Sequence, residues 1–325
     1  MDDNLKYIEN VSLDVYFNLA LEEYIFSHLK DDTYLLLWEN DRSIVLGKNQ
    51  NVFEEIDIKA VEEMGIKVAR RITGGGTVFH DQGNLNYSFI TDYDPNLLTD
   101  YDKFLNLVIS ALTSLGIHAA KRGTSDIAID GKKISGSAQT TKAGRVLHHG
   151  TLLFDADLSM LNDLLKPAEG IVSKSVKSQR SVVTNIKEYI DDKTMITVDF
   201  KTLLLNALFP EGVQKFNLSE EHLDGIWELV ENKYSGWQWN YGASPKFYFK
   251  KESKIRNGAV NIKLDVEKGI VTTCEITADL PCNTIETAIR GSLYSYKEIL
   301  NRLVELKELE SIKNINIEEL ASRFF

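Results

Sequence analysis

The chain has 325 residues, 43% hydrophobic and 26% charged, with 37 Lys and Arg against 48 Asp and Glu for a formal net charge of −11. That length and balance suit a globular protein of more than one domain with a sizeable core. They argue against broad nucleic-acid binding, which needs a concentrated positive surface, and no apolar run in the sequence is long enough to cross a bilayer.

The acidic start Met1-Asp2-Asp3 lacks the basic and apolar regions of a secretion signal, so a cytoplasmic protein is expected. A helix is predicted from about Asp14 to Leu29, with Ser12 or Asp14 as N-cap and Leu19, Tyr24 and Ile25 facing the core. Strands follow at Tyr34–Trp38 and Ile44–Leu46, then a helix at Ile58–Met64 closed by Gly65, then a strand at Lys67–Arg70. Next comes the most informative stretch, Arg70 to Asn84, reading R-R-I-T-G-G-G-T-V-F-H-D-Q-G-N. Gly74, Gly75 and Gly76 carry no Cβ, so the backbone can reach positive φ and turn its N–H groups into an anion-binding nest. Arg70 and Arg71 add forked donors that match carboxylate and phosphate oxygens. A glycine-rich hairpin with solvated arginines is the plain alternative. The turn joins strands, and neither G-x-G-x-x-G nor a P-loop is present, so a Rossmann phosphate turn is the poorer description.

Asn86–Thr91 reads as a strand, Tyr101–Leu115 as an amphipathic helix, and Ile127–Ile129, Lys132–Gln139 and Leu147–Phe154 as strands, giving a mixed, largely antiparallel sheet. Within G-K-K-I-S-G-S-A-Q, Gly131 to Gln139, alternation predicts Ile134 and Ala138 on one face and Lys133, Ser135 and Ser137 on the other. A lysine held over apolar strands is a concentrated positive charge with three donors, whereas a surface lysine in a β-turn is the ordinary alternative. His148 to Phe154, H-H-G-T-L-L-F, sets imidazoles beside a buried-strand run.

After a helix at Leu158–Leu164, Lys166, Lys174, Lys177, Arg180 and Lys187 oppose Glu169 and few other acids in a stretch with little periodicity. It reads as a mobile segment with short helices, or as a solvated face. Helices are predicted at Asp199–Leu208 and Glu220–Tyr234. Aromatics, Gly and Pro at Trp237–Pro245 mark a boundary between a catalytic domain, 1–243, and an accessory domain, 244–325. Beyond it, strands at Lys246–Arg256, Gly258–Val266 and Ile270–Ala278 turn at Asn257-Gly258 and Glu267-Lys268-Gly269. Helices at Thr284–Arg290, Tyr296–Leu306 and Ile317–Phe325 complete a small α+β domain. The two cysteines, Cys274 and Cys282, fall here and indicate neither a disulfide framework nor a cysteine-rich metal site.

Arg70–Asn84, Lys133 within K-I-S-G-S-A, and His148–Leu152 stand in the order and at the spacing of the lipoate–protein ligases, and the chain resembles that family. Phe17-Asn18-Leu19-Ala20-Leu21-Glu22 and Gly47-Lys48-Asn49-Gln50-Asn51 add to the likeness, which runs motif by motif through the basic stretch and in general layout beyond. The resemblance implies an α/β (α+β) fold of mixed, largely antiparallel sheets with helices. Its catalytic domain is similar to biotin ligases and class II aminoacyl-tRNA synthetases, with a small α+β accessory domain after it. It implies an ATP-dependent reaction with Mg²⁺, in which lipoate is adenylated to lipoyl-AMP with release of pyrophosphate and the lipoyl group then passes to an acceptor lysine. Implied partners are the lipoyl domains of 2-oxoacid dehydrogenase E2 subunits and the glycine-cleavage H protein, with no nucleic acid and no membrane.

By the same resemblance Lys133 is the catalytic residue, bridging the lipoate carboxyl and the α-phosphate. Arg71, Gly76, Thr77, Val78 and Phe79 join it in holding ATP. The lipoate slot draws on Leu19, Leu21, Trp38, Gly75, Val78 and His80, with Ala138, His149, Arg71 and Lys133 beside them. Asn84 and Asp126 support the adenylate or the metal, whose ligands stay undefined. His80 and Asp81 order the turn or Mg²⁺, and for His80 a structural hydrogen bond is preferred over proton transfer. The Lys166–Lys187 stretch orders over the adenylate and excludes water, and Lys174 and Lys177 dock acidic acceptors. An octanoyl or lipoyl transferase of the same fold is the alternative, but it needs a thiolate near the lysine, and the catalytic half has no cysteine. A biotin ligase and a non-catalytic lipoate or lipoyl-AMP binder are the remaining alternatives.

Overall fold

A computed structural model describes residues 5–93, 101–166, 169–179, 181–256, 258–279, 281–309 and 315–325. Its strands are β1 (Leu5–Glu9), β2 (Thr33–Trp38), β3 (Ser43–Leu46), β4 (Lys67–Arg70), β5 (Val78–His80), β6 (Asn84–Asp92), β7 (Ala120–Arg122), β8 (Asp126–Ile129), β9 (Lys132–Lys142), β10 (Arg145–Leu153), β11 (Ile171–Val172), β12 (Gln214–Lys215), β13 (Phe247–Ile255), β14 (Gly258–Glu267) and β15 (Ile270–Ala278). Its helices are α1 (Val15–His28), α2 (Val52–Glu55), α3 (Ile58–Glu63), α4 (Tyr101–Ser114), α5 (Leu158–Leu164), α6 (Thr197–Leu208), α7 (Glu220–Leu229), α8 (Trp237–Asn240), α9 (Cys282–Ile289), α10 (Tyr296–Glu305) and α11 (Ile317–Ala321).

The chain forms two compact units, each assembled from separated segments. The first takes Met1–Lys48, Ala69–Leu161 and Gln179–Ser235, and the second takes Asn49–Val68, Asn162–Ser178 and Gly236–Phe325. The first is built on an eight-stranded sheet in the order β12-β1-β2-β6-β10-β9-β8-β7. β1 runs parallel to β12 and β2, and the other neighbours are antiparallel. One face is apolar: Leu35, Leu37, Leu85, Tyr87, Phe89 and Leu152 pack against α4 and α6. α4 supplies Phe104, Leu105, Val108, Ala111 and Leu112 at helical spacing, which gives it one buried stripe. Along the other face Leu36, Ser88, His149 and Ala138 stand in register across β2, β6, β10 and β9. α1 covers that face. The Asp14 carboxylate caps it by accepting from the N–H groups of Tyr16 and Phe17. A three-stranded sheet, β4-β3-β5, carries the glycine turn between its outer strands.

The second unit has a four-stranded antiparallel sheet, β11-β13-β14-β15, with Phe53, Phe247 and Tyr294 in mutual ring contact in its core. Among the described residues no helix is long and apolar enough to cross a membrane.

Three expectations differ from what forms. Within the basic stretch one expected short helix forms, a 3-10 turn over Ile186–Tyr189 that includes Lys187, whereas residues 169–179 and 181–185 hold the short strand β11 and no helix, because their hydrogen bonds go to other segments. Arg180 and the turn residue Asn257 lie outside the described residues. The helix expected through Tyr234 is α-helical to Leu229 and then widens into a π turn over Val230–Tyr234. Trp237–Asn240 is helical where a break was expected, with the Trp237 and Tyr241 rings stacked 4.1 Å apart.

Candidate functional site

β9 positions Lys133 through an irregularity. Pairing with β8 runs Asp126 to Gly136 and Ile127 to Ser135, then skips to Ala128 with Lys133, so Ile134 is an extra, bulged residue. The bulge overturns the expected alternation. Ile134 joins the apolar core, and Ser135 pairs with core-facing Ile127. Lys133 instead faces the same way as Gly136 and Ala138, its Nζ 2.8 Å from Asp126 Oδ1. A Cβ added to Gly136 would lie 2.7 Å from Nζ, so the glycine makes the seat for the ammonium. The Lys133 backbone pairs elsewhere, its N–H donating to Val182 O at 2.9 Å and its C=O accepting from Thr184 N–H at 3.0 Å.

The glycine turn is wrapped round Arg71. Its Nε donates to Thr73 Oγ1 at 3.0 Å and Gly74 O at 3.1 Å, and Nη2 donates to Gly74 O at 2.7 Å and Gly76 O at 2.8 Å. Nη1 donates to Val45 O at 3.2 Å. Of the three glycines only Gly75 takes positive φ, at 90°, and a Cβ there would meet Arg71 Nη2 at 2.7 Å. The guanidinium therefore braces the loop through its carbonyls, and trans geometry sends the Gly75 N–H away from it. Arg70 is fully buried and donates to Gly47 O and Lys48 O, fixing the G-K-N-Q-N turn. Burial pushes both arginines down to about 10.

From the Arg71 loop a continuous chain of polar contacts runs to Trp38. Thr73 Oγ1 lies 2.8 Å from His149 Nε2, and His149 Nδ1 donates to the Glu22 carboxylate at 3.0 and 3.1 Å. Glu22 also accepts from Ser88 Oγ at 2.5 Å, and Ser88 accepts from Trp38 Nε1 at 2.8 Å. Glu22 is 2% exposed, so its partners satisfy a carboxylate that would otherwise be costly to bury.

The chain has known relatives. Residues 14–209 match the family model of the lipoyl protein ligase A/B catalytic domain, and residues 244–324 match that of the bacterial lipoate protein ligase C-terminus. The chain belongs to the lipoate–protein ligase family. It is 40% identical to lipoate-protein ligase LplJ of Bacillus subtilis over 324 residues, covering 96% of this chain and 98% of that one. A crystal structure of lipoate-protein ligase A bound with ATP superposes with a TM-score of 0.63 at 28% identity, over 75% of this chain and 100% of the other. A structure of a bi-partite lipoate protein ligase and its E2 lipoyl domain from Thermoplasma acidophilum gives 0.64 at 28% identity, over 74% and 97%.

In this ligase the other residues singled out from sequence fall as follows. Trp38 and His80 meet edge-on with ring centres 6.3 Å apart. Val78 is half-buried, Thr77 is buried, and Phe79 sits in the core at 2% exposure, so its backbone and not its ring is available to a nucleotide. Leu19 and Leu21 are both buried on α1, but at 3.6 residues per turn they stand about 160° apart on either side of Glu22. Asn84 is fully buried and donates to Asn86 Oδ1 at 3.0 Å, while its own Oδ1 has no partner among the described residues. Both Asp81 oxygens accept from backbone, Gly83 N–H and Asp157 N–H, so this carboxylate orders turns. In the basic stretch Lys166, Lys177 and Lys187 pair with Asp163, Glu54 and Asp155.

Sequence reading of the ligase gave no role to Thr73, Ser88 or Glu22. Only Glu22 left a signal, as a carboxylate at the end of the apolar run F-N-L-A-L-E, where a buried acid demands partners.

Proposed function

We propose that the chain activates lipoate with ATP to lipoyl-AMP, releasing pyrophosphate, and then passes the lipoyl group to a lysine of an acceptor protein. The observation that carries this reading is the Lys133 ammonium, turned by the bulge onto the face shared with Ala138, His149 and Ser88. From β9 to Trp38 on β2 is three strand spacings, about 14 Å, room for an extended aliphatic acid with its carboxylate at Lys133.

In the first step a lipoate carboxylate oxygen attacks the α-phosphorus, and the bond to the β-phosphate oxygen breaks. Lys133 offers donors to both anions where charge accumulates, holding together groups that otherwise repel. The glycine turn, braced by Arg71, supports the nucleotide through backbone N–H groups directed away from the guanidinium. In the second step the acceptor amine attacks the acyl carbon and AMP departs, with Lys133 stabilising the leaving phosphate. Residues 182–184, hydrogen-bonded along Lys133, help keep water from the mixed anhydride.

Mg²⁺ commonly binds through one or two carboxylates plus substrate phosphates. No cluster of three or more His, Cys, Asp or Glu side chains exists among the described residues, and Asp126, beside Lys133, is the carboxylate we assign to the ion. When bound there, the ion would neutralise phosphate charge.

A thioester route is disfavoured by Cys274, which burial pushes up to about 12, away from a reactive thiolate. The Thermoplasma ligase and E2 lipoyl domain structure supports lipoyl domains as acceptors; those of 2-oxoacid dehydrogenases, with the glycine-cleavage H protein, are the proposed partners. The test is lipoate-dependent exchange between ATP and pyrophosphate with Mg²⁺ and no acceptor. Exchange should occur with the unmodified chain and vanish in Lys133→Met with circular dichroism unchanged, and normal exchange by Lys133→Met would refute the assignment.

A further inference from the structure

His80 is 3% exposed, and its two ring nitrogens differ. Nδ1 lies 2.9 Å from Asn40 Nδ2, whereas Nε2 is buried with no hydrogen-bond partner among the described residues. A row of buried side-chain amides decides which nitrogen bears the hydrogen. The Ser12 N–H donates to Asn10 Oδ1 at 3.0 Å, so Asn10 Nδ2 donates onward to Asn18 Oδ1 at 2.8 Å. Asn18 Nδ2 shares its hydrogens among Ser12 O, Glu39 O and Asn40 Oδ1, the last at 2.8 Å. With its oxygen accepting, Asn40 presents its amide nitrogen to His80. An amide nitrogen only donates, so Nδ1 accepts and the hydrogen of the neutral ring sits on Nε2. Burial, helped by nearby Arg71 and His149, pushes His80 down to about 3, so the ring is neutral near pH 7.

A buried N–H without an acceptor is unfavourable, and this one lies beside Trp38, at the far end of the sheet face from Lys133. A lipoate whose carboxylate sits at Lys133 brings its dithiolane ring there, and in that tail only the sulfurs can accept. We infer that Asn10, Asn18 and Asn40 are positioning residues that hold His80 as its Nε2–H tautomer, and that this N–H recognises a dithiolane sulfur. The inference rests on the lipoate reading above and makes His80 the residue that separates lipoate from a plain eight-carbon acid.

Nitrogen-15 spectra of the protein labelled at its 6 histidines test it. His80 should show a protonated Nε2 and bare Nδ1 near pH 7, lipoate but not octanoate should shift the Nε2–H signal, and Asn40→Asp should protonate Nδ1. In the exchange assay lipoate should have a KM lower than octanoate by about 2- to 10-fold, the range a single neutral hydrogen bond supplies. That ratio should collapse to about one in His80→Phe and persist in His80→Gln, whose amide nitrogen replaces Nε2. A bare Nε2 in the unmodified protein, an equal response to both acids, or a ratio retained in His80→Phe would overturn the inference. Absence of exchange with either acid would refute the ligase reading instead, and the spectra, which require binding alone, would still decide the role of His80.

Discussion

Gly136→Ala separates the seat of Lys133 from the stability of the sheet. The new Cβ would stand 2.7 Å from Lys133 Nζ, 2.9 Å from Cε and 3.6 Å from Asp126 Oδ1. Ordinary contact needs about 3.4–4 Å, so the ammonium must move by about 1 Å, which a flexible side chain does without disturbing the backbone. Gly136 does not take positive φ, so alanine fits the strand and stabilises by restricting the unfolded chain, by about 0.4–1 kcal/mol. A displacement of about 1 Å at a reacting group costs on the order of 100-fold in rate, about 2.7 kcal/mol of transition-state stabilisation. Lipoate-dependent ATP–pyrophosphate exchange should therefore lose about two orders of magnitude in kcat/KM, while the urea midpoint holds or rises. Full activity at unchanged stability would refute the claim that the ammonium must occupy this seat.

Gly83→Ala should do the opposite, since its Cβ would fall 2.0 Å from the Asp155 carbonyl oxygen; the backbone must shift, and about 1–3 kcal/mol of stability should be lost in urea unfolding. Replacing both Cys274 and Cys282 by Ser should leave lipoyl transfer to an acceptor intact, and a large loss of transfer with the fold preserved would reopen the thioester route. His80 and His148 are both pushed down to about 3 by burial, so between there and about 6.5 the unfolded chain binds up to two more protons than the folded one. Stability should accordingly fall as pH drops through that window, by about 2.7 kcal/mol per pH unit for the pair. His148→Phe, which keeps a ring against Phe104, should remove about half of the histidine contribution between pH 6 and pH 5, and identical slopes in urea unfolding would contradict the assignment.

Elements whose apolar pattern is local were legible in the sequence: β4 at Lys67–Arg70 and α5 at Leu158–Leu164 form with the expected bounds. β5 was not, because a three-residue strand inside a glycine motif exists only through its pairing with β3. The orientation of Lys133 was misjudged for a related reason. Strict alternation describes a regular ladder, and the extra residue Ile134 is visible only once the partner strand β8 is in place. Arg71 read as a ligand donor because its type suits anions, yet in the fold its donors meet loop carbonyls. Thr73, Ser88, Asn18 and Asn40 carried no signal, since a small polar side chain acquires meaning from partners remote in sequence, such as His149 for Thr73.

The backbone of Lys133 makes it a reporter, whatever its side chain does. Its amide hydrogen is held by Val182 O, outside the eight-stranded ladder, so its exchange with solvent deuterium is governed by opening of residues 182–184 and not by unfolding of the sheet. Neighbouring strand amides such as that of Leu147, deep in the β10 ladder, exchange on the far slower clock of the whole unit. Two amides in one sheet thus keep different clocks, and that of Lys133 follows how long the segment beside it stays closed.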